Sequence, residues 1–138
     1  MMARPDVPRQ RLTLSWEWKL LGDAQLSPLG GVMMPKTRIR VPTIYRFILH
    51  DRVDRIYIGE SANVRARFRG HRFTGRVSDT MRTHLQAEKR VSVWIADRIK
   101  FGNMTAYGLE LKTNRLAIEG AAVLLANLNQ EGEVLNID

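Results

Sequence analysis

Between Leu12 and Leu20 the chain alternates without a break, with Leu12, Leu14, Trp16, Trp18 and Leu20 on one side and Thr13, Ser15, Glu17 and Lys19 on the other. A period of two puts all five apolar residues on a single face of an extended strand. A strand carrying that stripe cannot stand alone, so the chain is committed to a sheet with at least one packed face. A stripe this regular is read as sheet core in preference to a stacking platform for bases.

The rest of the sequence supplies partners for that strand. Gly22 to Pro42, with three glycines and three prolines, reads as an irregular connector. Thr43–Leu49 and Arg55–Ile58 are rich in β-branched and aromatic residues and flank a polar turn at His50–Asp54, which predicts a hairpin. Ser61 to His71 is expected to be a helix capped by Ser61, with Val64 and Phe68 inward and Arg67 and His71 together on the neighbouring stripe. A second helix is expected over Ser78–Glu88 around Met81 and Leu85, with Ser78 as its cap, then a strand through Val91, Val93 and Ile95. Thr113 is placed to cap a final helix over Asn114–Leu128. These elements predict a small α/β domain of the α+β type: a three-stranded antiparallel sheet flanked by helices, with an extra N-terminal strand. Residues 1–40 form the N-terminal extension and 41–138 the main domain.

The chain holds 22 Lys and Arg against 14 Asp and Glu, a net charge of +8, and the arginines gather between residues 38 and 90. Guanidinium groups bind phosphate through two parallel donors, so the charge favours a polyanion and salt-sensitive nucleic-acid binding. With no cysteine, the sequence has no disulfide framework, thiolate zinc site or thiol nucleophile. No signal-like leader and no apolar run of bilayer length is present, which points to a cytoplasmic protein without a membrane partner.

Four residues in the middle of the chain, and one further on, suit phosphodiester cleavage. Arg67 can hold non-bridging phosphate oxygens, and His71 can carry a proton or donate to phosphate or water. Tyr45 and Tyr57 fall on adjacent strands of one hairpin, close enough to share a site. A phenol becomes a base only if its pKa drops well below about 10, an effect expected from Arg67 and a metal. Glu119 stands among Leu116, Ile118, Val123 and Leu124, where a carboxylate is costly without a partner, and one protein carboxylate plus waters suits Mg²⁺. Arg65, Arg69, Arg72 and Arg76 extend a basic face for nucleic acid.

In order, Thr43-Ile44-Tyr45, Tyr57-Ile58-Gly59, Arg67, His71 and Glu119 resemble the signature of the GIY-YIG nuclease family over about Pro42 to Asp138. Thr43 stands where that family has a glycine, which removes no reacting group. The resemblance implies a metal-dependent DNA endonuclease with one Mg²⁺ or Mn²⁺ on Glu119, phosphate held by Arg67, and Tyr45 as first choice of general base, assisted by His71. Tyr57 would orient water or phosphate. A late asparagine completes such sites, and Asn136 is the choice over Asn129. RNA stays open as substrate, and the N-terminal strand is the expected surface of a homodimer. The competing reading is a nucleic-acid-binding module that keeps the fold and the basic face without cutting.

Overall fold

The computed structural model describes residues 8–69, 75–102 and 106–136. Seven strands appear among them: β1 (Leu14–Asp23), β2 (Gln25–Leu26), β3 (Val32–Met33), β4 (Thr43–Leu49), β5 (Arg55–Ser61), β6 (Val91–Phe101) and β7 (Glu133–Val134). Three helices accompany them: α1 (Val64–Phe68), α2 (Arg76–Gln86) and α3 (Lys112–Leu128), the last preceded by a 3₁₀ turn at Ala106–Glu110. The fold is α+β, but the sheet is larger than three strands and an extension. Five strands lie in the order β1-β6-β4-β5-β7, and β2 and β3 make a separate two-stranded hairpin.

The β4–β5 hairpin forms where its composition places it, in register from Thr43 opposite Ser61 to Leu49 opposite Arg55. β6 pairs antiparallel with the other side of β4. The sheet is mixed because β7 joins β5 in parallel through Arg55 and Ile56. Backbone bonds from Glu133 to Asp54 (2.8 Å) and from Leu135 to Ile56 (2.7 Å) hold it there. Two residues carry no detectable strand pattern, so this element is a product of tertiary pairing.

β1 lines the opposite edge, antiparallel to β6. Its register shifts between Leu20 and Gly22, and that irregularity breaks the alternation: Leu20 is 44% exposed while Leu21 turns into the core on the other face. Leu14, Trp16 and Trp18 keep to one face, as the stripe requires. Trp18 and Trp94 sandwich the Arg46 guanidinium, 4.7 and 5.0 Å from their ring centroids. Trp18 is thereby occupied within the sheet. The 22–42 connector is also more ordered than its glycines and prolines suggest, because Ala24, Val32 and Met34 are buried in the core.

A core packs on each face of the sheet. Tyr45, Phe47, Leu49, Val91, Val93 and Ile95 meet Val64 and Phe68 of α1 and Met81 of α2. On the reverse, Ile44, Ile56, Ile58 and Ala96 meet Ile118, Ala122 and Ala126 of α3. Helix boundaries depart from the capping expectations. Ser61 still belongs to β5, and Asn63 caps α1 by accepting from the Ala66 amide at 3.1 Å. α1 then stops at Phe68, because Arg69 is already extended. α2 starts two residues before Ser78, with Gly75 at its cap. Leu111, not Thr113, caps α3 and makes no side-chain bond. His84 of α2 is buried, its Nε2 2.8 Å from the His50 carbonyl and its Nδ1 3.2 Å from Arg55, so it ties the helix to the hairpin.

Candidate active site

Tyr45 lies opposite Gly59 in the β4–β5 ladder, and Phe47 lies opposite Tyr57. Directly opposed residues share a face, so both tyrosines point to the side covered by α1. The Tyr45 ring packs against Phe47 and Phe68, each with centroids 5.1 Å away, and Phe47 stacks on Tyr57 at 5.8 Å. A Cβ on Gly59 would stand 2.5 Å from the Tyr45 hydroxyl. Glycine is required here because the phenol lies directly across the β5 backbone.

From α1, the Arg67 guanidinium hydrogen-bonds the Tyr45 phenol. Burial pushes the Tyr45 pKa up to about 12, and the Arg67 bond offsets only part of that. Tyr57 is also raised, first by burial and then by the negative charge of Glu119. Arg67 and a metal together are expected to lower this phenol, and the Arg67 bond by itself does not bring it below its ordinary value. Desolvation of a fully covered ring outweighs one charge-assisted bond, and the phenol stays a hydrogen-bond donor near neutral pH.

β7 covers β5 only at Arg55 and Ile56, leaving the edge beyond Ile58 open. A cleft of about 460 Å³ lies at that edge, its lining including Tyr45, Tyr57, Gly59 and Glu60 from the hairpin, Arg67 from α1, and Lys112, Arg115 and Glu119 from α3. Four sequence-predicted residues, Tyr45, Tyr57, Arg67 and Glu119, therefore meet from four elements. His71 and Arg72 lie outside the described residues. Arg76 is an exposed first residue of α2. Arg65 and Arg69 line a different groove beyond α1. Asn136 does not face the cleft lining: its Oδ1 accepts from the Ile58 amide at 2.8 Å and its Nδ2 donates to the Ile58 carbonyl. A side-chain amide used this way extends the β5 edge by mimicking a strand residue.

Glu119 does not sit in the apolar stripe its neighbours suggest. Leu116 and Leu124 are exposed, and the buried stripe of α3 runs through Arg115, Ile118, Ala122 and Ala126. The half-buried Glu119 is instead one turn beyond Arg115, on the helix side that borders the cleft. Arg115 is the residue sequence reasoning missed. Its Nε donates to Glu60 Oε2 at 2.7 Å, and its Nη1 donates to the carbonyls of Leu109 (2.9 Å) and Glu110 (2.8 Å). The side chains of this pair are 7% and 15% exposed, so the charges are withdrawn from water and matched by geometry. Two signals were available: Glu60 directly follows Gly59, and Arg115 precedes Glu119 by four residues on one helix.

Among the described residues no cluster of three or more His, Asp or Glu side chains could form a metal cage. Two carboxylates line the cleft, Glu60, which is paired with Arg115, and Glu119. One carboxylate in an open polar cleft fits a hard cation that retains most of its waters, as Mg²⁺ does. No helix among the described residues is long and apolar enough to cross a membrane. No family model, no curated protein and no solved structure matches this chain.

Proposed function

We propose that this chain is a metal-dependent endonuclease of the GIY-YIG type that hydrolyses nucleic-acid phosphodiester bonds, with DNA as its substrate and RNA as the other polymer to test. The observation that carries the reading is the convergence of Tyr45, Tyr57, Arg67 and Glu119 on one open cleft. Arg67 grips two non-bridging oxygens of the scissile phosphate and neutralises the charge that builds on them. Tyr45, protonated and braced by Arg67, donates a hydrogen bond to phosphate or water. Tyr57 orients the attacking water from the neighbouring strand. Lys112, at the start of α3, adds positive charge to the same wall.

Glu119 would hold Mg²⁺ or Mn²⁺, which when bound supplies Lewis-acid charge for the developing alkoxide and a more acidic water. Arg115 and Glu60 are positioning residues that fix the first turns of α3 against β5 and so set where Glu119 stands. A cytoplasmic location and a homodimer through β1, whose outer edge is unpaired among the described residues, belong to the same proposal.

The test is incubation with supercoiled plasmid, with Mg²⁺, Mn²⁺ or chelator, beside Glu119→Gln. Metal-dependent nicking that falls at least about a hundredfold in the variant is the expected result. The raised phenol pKa values favour the second reading, a binding module that does not cut. Retained binding with no cleavage of plasmid or RNA by the folded wild type would select it.

A further inference from the structure

α1 has a second groove on its far side, about 1010 Å³ in volume. Arg65 of α1 and Arg69, the extended residue that follows it, line this groove, whereas Arg67 lines the cleft. The other bank of the groove is the connector segment 33–40, which brings Lys36, Arg38 and Arg40. These three side chains are exposed and alternate with the half-buried Thr37 and Ile39. The Arg65 amide donates to the Ile39 carbonyl at 2.8 Å, so both banks are fixed to each other. Among the described residues none of the five cations has an ion-pair partner, and no carboxylate lines the groove. Apart from Thr37 its remaining lining is apolar, with Met33 44% exposed beside the half-buried Pro35.

We infer that this groove binds an unpaired strand of the nucleic-acid substrate next to the point of cleavage, and this rests on the nuclease reading of the adjoining cleft. Charge complementarity selects a polyanion. The apolar lining selects its form, because a duplex keeps its base faces stacked inside while a single strand can turn them onto the methionine and proline surface. α1 contributes to both grooves, Arg67 to the cleft and Arg65 and Phe68 to this one, so a strand seated here lies about one helix diameter, roughly 10–12 Å, from Arg67. The N-terminal extension thus contributes a substrate-binding bank that the cleft itself lacks.

Binding is measured by fluorescence anisotropy in chelator, so that no cut occurs, comparing a blunt duplex with a partly single-stranded one of equal phosphate number. An overhang of about ten nucleotides suffices to span the groove. The wild-type protein is expected to bind the overhang substrate about tenfold more tightly than the blunt one. Arg38→Gln/Arg40→Gln should abolish that preference while changing blunt-duplex affinity by less than about threefold. Met33→Ala, which alters no charge, should reduce it severalfold. Equal wild-type affinities, or equal losses on both substrates, would overturn the inference. Lys36→Gln, a single exposed charge of the connector bank, repeats the test should the first variant fail to fold. Absence of cleavage by the wild type would count against the nuclease reading and leave this binding comparison intact.

Discussion

Gly59 and Tyr45 show how one backbone position sets the chemistry of a side chain across a ladder. The phenol lies where a Cβ would be, and the ring cannot retreat because Phe47 and Phe68 hold it. Gly59→Ala is therefore expected to destabilise the fold by about 2 kcal/mol and to displace Tyr45, seen as a lower melting temperature together with reduced cleavage. The Tyr45 pKa gives a second prediction. Folding raises it from the ordinary 10.0 to about 12. Below pH 10 both states hold the proton and pH has no effect through this group. Between 10 and 12 the unfolded chain releases it first, so stability falls as pH rises, by on the order of 2 kcal/mol. Denaturant unfolding at pH 8 and pH 11.5 should show this loss in the wild type and a smaller one in Tyr45→Phe. Equal losses would mean that Tyr45 is not desolvated as described.

Among the elements, α3 decides the site, since its placement fixes Glu119 and Lys112 together. Ile118, Ala122 and Ala126 set how deeply it packs, while Arg115 sets its axial position through Glu60 and two carbonyls of the preceding turn. Glu60→Gln leaves a buried guanidinium without its counter-charge, and a loss of about 3 kcal/mol is expected. Cleavage should fall further than stability accounts for, because Glu119 shifts with the helix. Replacing both partners, as Glu60→Leu/Arg115→Met, should recover much of the stability and little of the activity. Thermal denaturation and plasmid nicking on the same preparations separate the two effects. At the other edge of the sheet, the break at Leu20 lets β1 serve both faces, with Trp16 and Trp18 on one and Leu21 on the other.

For the molecule as a whole, the net charge is +8, and cations line both grooves: Arg67, Lys112 and Arg115 the cleft, and Lys36, Arg38, Arg40, Arg65 and Arg69 the second groove. The logarithm of nucleic-acid affinity should fall with the logarithm of salt concentration with a slope steeper than about −3, as expected for several phosphates neutralised together. A slope near zero would dissociate the charge from binding. Period-two and hairpin patterns determined the β4–β5 pair, the β6 run and the α+β class, since alternation and turn chemistry are local properties of the chain. The same local reading singled out Tyr45, Tyr57, Arg67 and Glu119, because their side-chain chemistry is legible wherever they end up. Only the tertiary structure decided what surrounds them. The two-residue β7, the Asn136 clamp, the Arg115–Glu60 pair and the connector wall all depend on contacts between distant segments. Tyr45 keeps its proton for the same reason: its pKa is set by how much protein covers it, and no spacing along a chain encodes coverage.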